Sequence, residues 1–262
     1  MRSAVVVVGL VIASVVPGHA APRPAPRADF PLLGEVDGAR ARIVVRGEVA
    51  KGKHEQLVKL VRDVVADVER RFTRAAKQPD DGVTLLLFSD QGRYREVAET
   101  FGPLISEWGF YLPDRRVAIA NTGASIGNLR HELVHPLIGD DFPAIPTWLN
   151  EGVAALYGSA KLGKRGFTFL VNYRLRDLKR ALANDTCPSL RELAESTDAD
   201  VHGERAMVYY ALSRYVLLFA DRKGTLSRLY ADLRDSPRDK HAEVLARYVD
   251  ETAFRRWARQ LR

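Results

Sequence analysis

The sequence is poor in cysteine, with Cys187 as the only one among 262 residues. A single cysteine excludes an intramolecular disulfide and a cysteine-based zinc site, because both need more than one thiol. Stability must therefore come from packing or from metal ligands of other types. The apolar fraction of 46% in a chain of this length is enough to build a sizeable core.

Long hydrophobic runs are also lacking, except for one near the amino terminus. Ala4 to Val16 are almost all apolar, Arg2 provides a basic start, and Gly18-His19-Ala20 supplies small residues for cleavage. The run is shorter than the roughly 18 residues that span a bilayer. This pattern predicts a cleaved signal peptide over residues 1–20. We expect an exported protein, secreted or periplasmic, with no stable membrane span in its mature form.

No dense block of basic residues is present, although the formal net charge is +7. The positive charges are spread along arginine-rich segments such as 174–180 and 255–262. A solvated basic surface is the simplest interpretation, and nucleic-acid binding is not predicted. The sequence also contains no internal repeat.

The order of the predicted elements indicates an α+β fold. Residues 21–36 are proline-rich at their start and predict an extended tether, followed by a peptidase-like domain over 37–262. Strand patterns concentrate in 37–136, which should hold a small mixed sheet, and everything after Thr147 has helical spacing, which makes 137–262 a helical lobe. The individual elements are predicted as strands at 41–49 and 83–88, helices at 54–76 and 91–100, and an edge-strand hairpin of 108–112 and 116–120 joined by Pro113-Asp114.

One motif in this order carries chemistry. His131-Glu132-Leu133-Val134-His135 fits the pattern H-E-x-x-H, and apolar residues at helical spacing from Ser125 onward place it on an amphipathic helix. Residues four apart on a helix point the same way, so His131 and His135 can bind one cation. Glu132 is then directed at a water that the metal activates.

A catalytic zinc ion needs a third protein ligand, and the sequence offers two candidates. Glu151 lies in Trp-Leu-Asn-Glu-Gly on a second helical pattern, which a turn-rich loop allows to pack antiparallel to the first. Asp141 is the rival, at the position where the metzincin pattern has its third ligand. That pattern also requires a glycine at position 138, which is Ile138 here, so Glu151 is favoured.

The pair HELVH and WLNEG resembles the gluzincin zinc metallopeptidases, the superfamily of thermolysin and the zinc aminopeptidases, and especially its small bacterial peptidase-MA-like members. The resemblance covers Leu129 to Tyr157. It implies one Zn²⁺ bound by His131, His135 and Glu151, with Glu132 as the general base.

Gluzincins also supply a tyrosine or histidine from the later helices to stabilise the oxyanion. The resemblance makes Tyr210 the candidate for this role here, with Tyr209 and His202 as alternatives. In the arrangement of this family the strand 108–112 is the outer arm of the hairpin, and an extended peptide substrate would add to it.

Two residues depart from the family pattern. Pro136 follows His135 directly, and proline disfavours helical geometry at the preceding residue, so the helix is expected to end or bend there. Ala155 stands where thermolysin-like enzymes have an acidic residue that supports a histidine ligand. Asp140 or Asp141 is the expected substitute.

The sequence thus predicts an exported zinc metallopeptidase that acts on peptides or proteins. Two alternatives stay open. One is a non-catalytic envelope or interaction protein with a gluzincin fold, and the other is a zinc amide hydrolase with a non-peptide substrate, since zinc-water chemistry serves both kinds of bond.

Overall fold

The computed structural model describes residues 29–74, 82–103, 105–164 and 166–262 and confirms the α+β class. Within these residues the strands are β1 (Leu32–Asp37), β2 (Arg42–Glu48), β3 (Val83–Phe88), β4 (Gly109–Leu112), β5 (Val117–Asn121), β6 (Ala160–Gly163) and β7 (Gly166–Phe169). The helices are α1 (His54–Phe72), α2 (Gln91–Glu99), α3 (Ile126–Asp141), α4 (Thr147–Gly158), α5 (Leu175–Ala183), α6 (Leu190–Glu195), α7 (Asp198–His202), α8 (Ala206–Arg222), α9 (Leu226–Arg234), α10 (His241–Tyr248) and α11 (Glu251–Gln260).

The main sheet is mixed, with the strand order β1-β2-β3-β5-β4. The three central strands are parallel, while β1 and β4 run antiparallel at the two edges. The predicted hairpin is confirmed, since β4 and β5 pair through a 3₁₀ turn at Pro113–Arg115. Arg116 closes this turn in the left-handed region, with a φ of 49°.

Strands β3 and β5 are buried on both faces, which explains their nearly continuous apolar sequence, whereas β2 alternates buried with more exposed residues. One face, with residues such as Leu85 and Leu87, packs with apolar side chains of α1 and α3. The opposite face, with Leu86 and Phe88, packs with α2. The helix that carries H-E-x-x-H therefore rests directly on the sheet.

The carboxyl-terminal half contains a second hairpin, so the prediction that everything after Thr147 is helical is wrong. Strands β6 and β7 pair antiparallel, and Gly166 at the start of β7 has a φ of 101°. Phe167 and Phe169 alternate with exposed residues and pack edge-on against Tyr157, with ring centroids 5.5 and 5.1 Å away. This period-2 pattern is only four residues long, too short to stand out among helical segments.

The predicted domain boundaries need correction. Strand β1 spans Leu32–Asp37, so the last residues of the predicted tether belong to the sheet, because their backbone pairs with β2. Helix α3 crosses the predicted lobe boundary at 136/137, and one apolar core extends from Val36 to Ala258. The predicted signal peptide and residues 21–28 lie outside the described residues, as do 75 and 76 at the end of the predicted first helix. Among the described helices, none is long and apolar enough to cross a bilayer.

Of the two outcomes predicted at Pro136, an end of the helix or a bend, the end is wrong. The helix begins after Ser125, whose hydroxyl accepts a hydrogen bond from the Gly127 N–H at 3.0 Å, and it continues through Pro136 to Asp141. Proline removes the N–H that would bond to the Glu132 carbonyl. The following turn is still helical because Leu137 and Ile138 are buried in the core, and tertiary packing outweighs local propensity.

The buried His241 should make stability sensitive to acid. Its Nε2 lies 3.3 Å from the Ser236 carbonyl and its Nδ1 lies 3.2 Å from Nη1 of Arg238, an arrangement that suits the neutral ring. Burial, followed by the Arg238 charge, lowers the pKa of His241 below its ordinary value of 6.5. The unfolded chain then binds more protons, so this stabilisation is present above about pH 6.5 and is lost as the pH falls through the folded-state pKa. Thermal unfolding of the wild type and His241→Gln at several pH values between about 5 and 8 should show a smaller acid loss in the variant. Equal losses would contradict this assignment.

Candidate functional site

The site lies where α3 and α4 pack antiparallel. At one end, Nε of Arg130 donates to the Tyr157 carbonyl at 2.8 Å, which joins the start of α3 to the end of α4. A Cβ on Gly127 would lie 2.3 Å from the Gly158 carbonyl oxygen, so glycine permits the close approach. Further along, His135 contacts Asn150. This packing brings HELVH on α3 and WLNEG on α4 together on one surface.

The side chains of His131, His135 and Glu151 meet on this surface. One potential ligand atom from each lies within 4.8 Å of the others. Nε2 of His131 is 3.4 Å from Oε2 of Glu151, and the two imidazole rings are 5.0 Å apart between centroids. Two imidazoles and one carboxylate form a donor set that zinc accepts, and these three residues could hold a metal ion.

Glu151 is the most unusual member of this cluster. It is fully buried, and neither of its carboxylate oxygens has a hydrogen-bond partner in the described part of the chain. Burial raises its pKa, but His131, His135 and His202 outweigh that effect and lower it to about 2. A buried carboxylate without hydrogen bonds is costly unless a charge compensates it.

The two histidines differ in electrostatics. Burial lowers the pKa of His131, but the carboxylates of Glu151 and Glu132 outweigh it and raise the pKa above the ordinary value. The pKa of His135 is lowered, mainly by burial. His135 therefore favours the neutral ring, which is the form that binds a metal.

Asn150 holds His135, a role that the sequence analysis missed. Its Oδ1 lies 2.8 Å from Nδ1 of His135, so that ring nitrogen donates the hydrogen bond and Nε2 carries the lone pair. The prediction that Asp140 or Asp141 supports a histidine ligand is wrong. Asp140 forms a double contact with Arg116, with both N–O distances at 2.8 Å, and Asp141 faces Arg234. The sequence signal for the role of Asn150 was its position as a polar residue directly before Glu151.

Asp141, the alternative third ligand, does not lie with the two histidines. Oδ2 of Asp141 lies 2.6 Å from Nη1 of Arg234, and its Oδ1 accepts from the Arg74 N–H at 2.8 Å. Asp141 is thus fully engaged away from the histidines. Its position at the end of α3 follows from the continuation of the helix past Pro136, which carries it away from the site.

Glu132 lies beside the cluster without belonging to it. Its Oε2 is 3.9 Å from Nε2 of His135, and its side chain is buried. Burial, followed by the Glu151 charge, raises the pKa of Glu132 to about 8. Strand β4 passes very close, since a Cβ on Gly109 would lie 2.5 Å from Cγ of Glu132. Gly109 is therefore a second site residue that the sequence analysis missed.

Of the three predicted oxyanion donors, Tyr210 and His202 lie near the cluster. The Tyr210 hydroxyl is 3.2 Å from Nδ1 of His202. Burial, followed by the Glu151 charge, raises the pKa of Tyr210, so its hydroxyl stays protonated. Tyr209 faces another way, with its ring 5.7 Å from the Arg205 guanidinium.

Two arginines near the site had no signal in the sequence. Arg174 follows β7, and its guanidinium carbon lies 4.9 Å from the centre of the Tyr210 ring. Arg214 is fully buried and donates to the carbonyls of Ala155 and Leu170, which ties α8 to α4 and to the segment after β7. Burial lowers the pKa of Arg214 to about 10.

Comparison with known proteins adds no family assignment to this geometry. No protein-family model matches the chain, and no curated protein matches its sequence. The likeness to gluzincins thus depends on the residues of α3 and α4 themselves.

Proposed function

We propose that this protein is a zinc-dependent peptidase in which His131, His135 and Glu151 bind the metal. The observation that carries the proposal is the buried Glu151 carboxylate, whose two oxygens lack hydrogen-bond partners among the described residues while two imidazoles lie beside it. A divalent cation bound between these three side chains would compensate that buried charge.

The donor set also suits the chemistry. Three protein ligands are typical of catalytic rather than structural zinc sites. Zinc bound there would activate a water molecule and polarise the scissile carbonyl. Two of the donors come from α3 and one from α4, so the packing of these helices determines whether the site exists.

Glu132 is the proposed general base. It lies on α3 next to His131, close to the cluster but outside its donor set. In this position its carboxylate takes a proton from the attacking water and passes it to the leaving amine. Burial favours the protonated acid, and a nearby cation favours the carboxylate, so metal loading supports the basic form.

Tyr210 is the proposed donor to the oxyanion. Tyr210 is on α8, which packs tightly on α4. Its protonated hydroxyl lies near Glu151 and His202. A Cβ on Gly152 would lie 2.8 Å from Cδ1 of Leu217, so the absence of a side chain there lets the two helices approach. A preorganised hydroxyl of this kind stabilises developing negative charge.

The substrate is proposed to be an extended peptide on β4. This strand is at the edge of the main sheet and begins beside Glu132. Its outer edge has no strand neighbour among the described residues, so a peptide can add there by backbone hydrogen bonds. We place the reaction outside the cytoplasm, because residues 1–20 have the pattern of an export signal.

Zinc analysis and a peptide-library assay test the proposal. The protein is stripped with a chelator, reloaded with zinc, and incubated with a mixed peptide library whose products are identified by mass spectrometry. We expect about one zinc per chain and cleavage that requires the metal. Stoichiometric zinc without cleavage of any peptide would leave only the non-peptidase alternatives. Failure to bind zinc would overturn the proposal as a whole.

Asn150→Ala should weaken zinc binding without removing a ligand. The variant loses the acceptor that fixes the His135 ring, and such partners typically contribute about 10- to 100-fold in metal affinity. Competition with a chromophoric chelator measures the dissociation constant. Asn150→Asp is the matched control, because it retains an acceptor at the same place and should bind zinc more tightly than Asn150→Ala. Equal affinities for all three proteins would show that His135 does not need this partner.

A further inference from the structure

Arg174 stands out because its charge has no carboxylate partner among the described residues, although it is close to the cluster. The guanidinium carbon lies 4.9 Å from the Tyr210 ring centre and 5.4 Å from that of Tyr173. Its positive charge lowers the pKa of both His131 and Tyr210, so it lies within electrostatic range of the site. By contrast, the half-buried Arg116 forms an ion pair with Asp140, and Arg130 donates to the Tyr157 carbonyl.

The segment that carries Arg174 is fixed in place. The buried Arg214 holds the Leu170 carbonyl, and the Tyr215 hydroxyl donates to the Asn172 carbonyl at 3.0 Å. Oδ1 of Asn172 in turn accepts from the Arg174 N–H at 3.2 Å. These bonds connect the segment to α8, the helix of Tyr210, so Arg174 is preorganised relative to the proposed oxyanion donor.

A half-buried guanidinium of this kind is suited to bind an anion. Its planar donors match a carboxylate, and stacking on an aromatic ring orients them while leaving the edge N–H groups free. A metal cation is not a possible partner, because arginine stays protonated and repels it. The neighbouring carboxylate, Glu151, faces the histidines and is not ion-paired with Arg174.

We propose that Arg174 binds a carboxylate of the substrate next to the scissile bond. The carboxylate is either the carboxyl terminus of the peptide or the side chain of an aspartate or glutamate. The first makes the enzyme a carboxypeptidase, and the second makes it a peptidase selective for acidic residues. This inference depends on the proposed function, because it assigns the substrate class of the same site.

Matched peptide sets distinguish the two sources. N-acetylated hexapeptide mixtures are made with a free carboxyl terminus or a carboxamide, and with glutamate or glutamine at internal positions. The zinc-loaded wild type, Arg174→Met, Arg174→Lys and Arg176→Met are compared by kcat/KM. Arg176 is the control because its exposed side chain contacts only its neighbour Asp177 among the described acidic residues.

We expect the wild type to prefer one carboxylate-bearing set over its amide counterpart by about 10- to 100-fold, the range of a charged hydrogen bond. Arg174→Met should lower kcat/KM more on the carboxylate set than on the amide set and so remove that preference, Arg174→Lys should restore part of it, and Arg176→Met should retain it. Loss of the free-terminus preference identifies the carboxyl terminus, and loss of the glutamate preference identifies the side chain. An equal loss on all sets would overturn the inference and indicate that Arg174 only supports Tyr210.

A binding measurement separates this inference from the proposed function. Calorimetric titration of zinc-loaded Glu132→Gln with the same peptide sets reports binding without turnover. Suppose that the wild type cleaves no peptide, yet Glu132→Gln binds a carboxylate set more tightly than its amide counterpart in a way that depends on Arg174. This result would support the carboxylate site while the peptidase proposal fails. Cleavage by the wild type without any preference for a carboxylate set would support the peptidase proposal and overturn the role proposed for Arg174.

Discussion

Glu132→Gln should lower kcat/KM for peptide cleavage by about 10²- to 10⁴-fold, the usual contribution of a positioned general base. Glutamine has nearly the same shape, so it fills the same buried space beside Gly109. It cannot accept a proton from water at neutral pH. Because Glu132 lies outside the donor set of His131, His135 and Glu151, the variant should retain its zinc. The measurements are initial rates on a cleaved peptide and metal content per chain.

The control for this variant is Glu55→Gln on the exposed surface of α1. It makes the same chemical change far from the cluster in sequence and should leave kcat/KM within about 2-fold, as expected for a surface site. A Glu132→Gln protein that retains zinc and cleaves at the wild-type rate would show that another group takes the proton. Loss of zinc from Glu132→Gln would show that the glutamate holds the metal.

The sequence predicts best what depends on local spacing. Hydrophobic periodicity places His131 and His135 on one helix, and the turn residues Pro113 and Asp114 give the β4–β5 hairpin. Glu151 could be selected over Asp141 because the glycine that metzincins need is absent. In each case the information lies within a few residues of the feature it predicts.

What the sequence could not predict depends on contacts between distant segments. Helix α3 continues past Pro136 because of packing against the core, and this decides where Asp140 and Asp141 point. The proposed role of Arg174 depends on a segment that follows a hairpin too short to recognise and on the approach of its guanidinium to Tyr210 on α8. Propensity rules describe the chain locally, and tertiary packing overrides them at these positions.

Glu151→Gln should abolish the stabilisation of the protein by zinc. A ligand at 100 times its dissociation constant stabilises the wild type by about 2.7 kcal/mol, which corresponds to a Tm rise of about 5–10 °C for a domain of this size. Glutamine is neutral and gives up the charge that the cation would compensate. At the same zinc concentration the variant should therefore show almost no rise in Tm, measured by thermal unfolding with and without zinc.

Asp141→Asn is the matched control, and it also separates the two third-ligand arrangements. Asp141 pairs with Arg234, and its side chain is buried, so its loss should lower the Tm of the metal-free protein. Its zinc-induced rise should nevertheless equal that of the wild type, because Asp141 contributes no atom to the cluster. The opposite result, with the zinc-induced rise in Tm lost in Asp141→Asn and retained in Glu151→Gln, would make Asp141 the third ligand. The chain would then have to follow a different path after His135. The zinc-dependent difference in Tm therefore reports on the ligand itself, separately from the general effect of each substitution on folding.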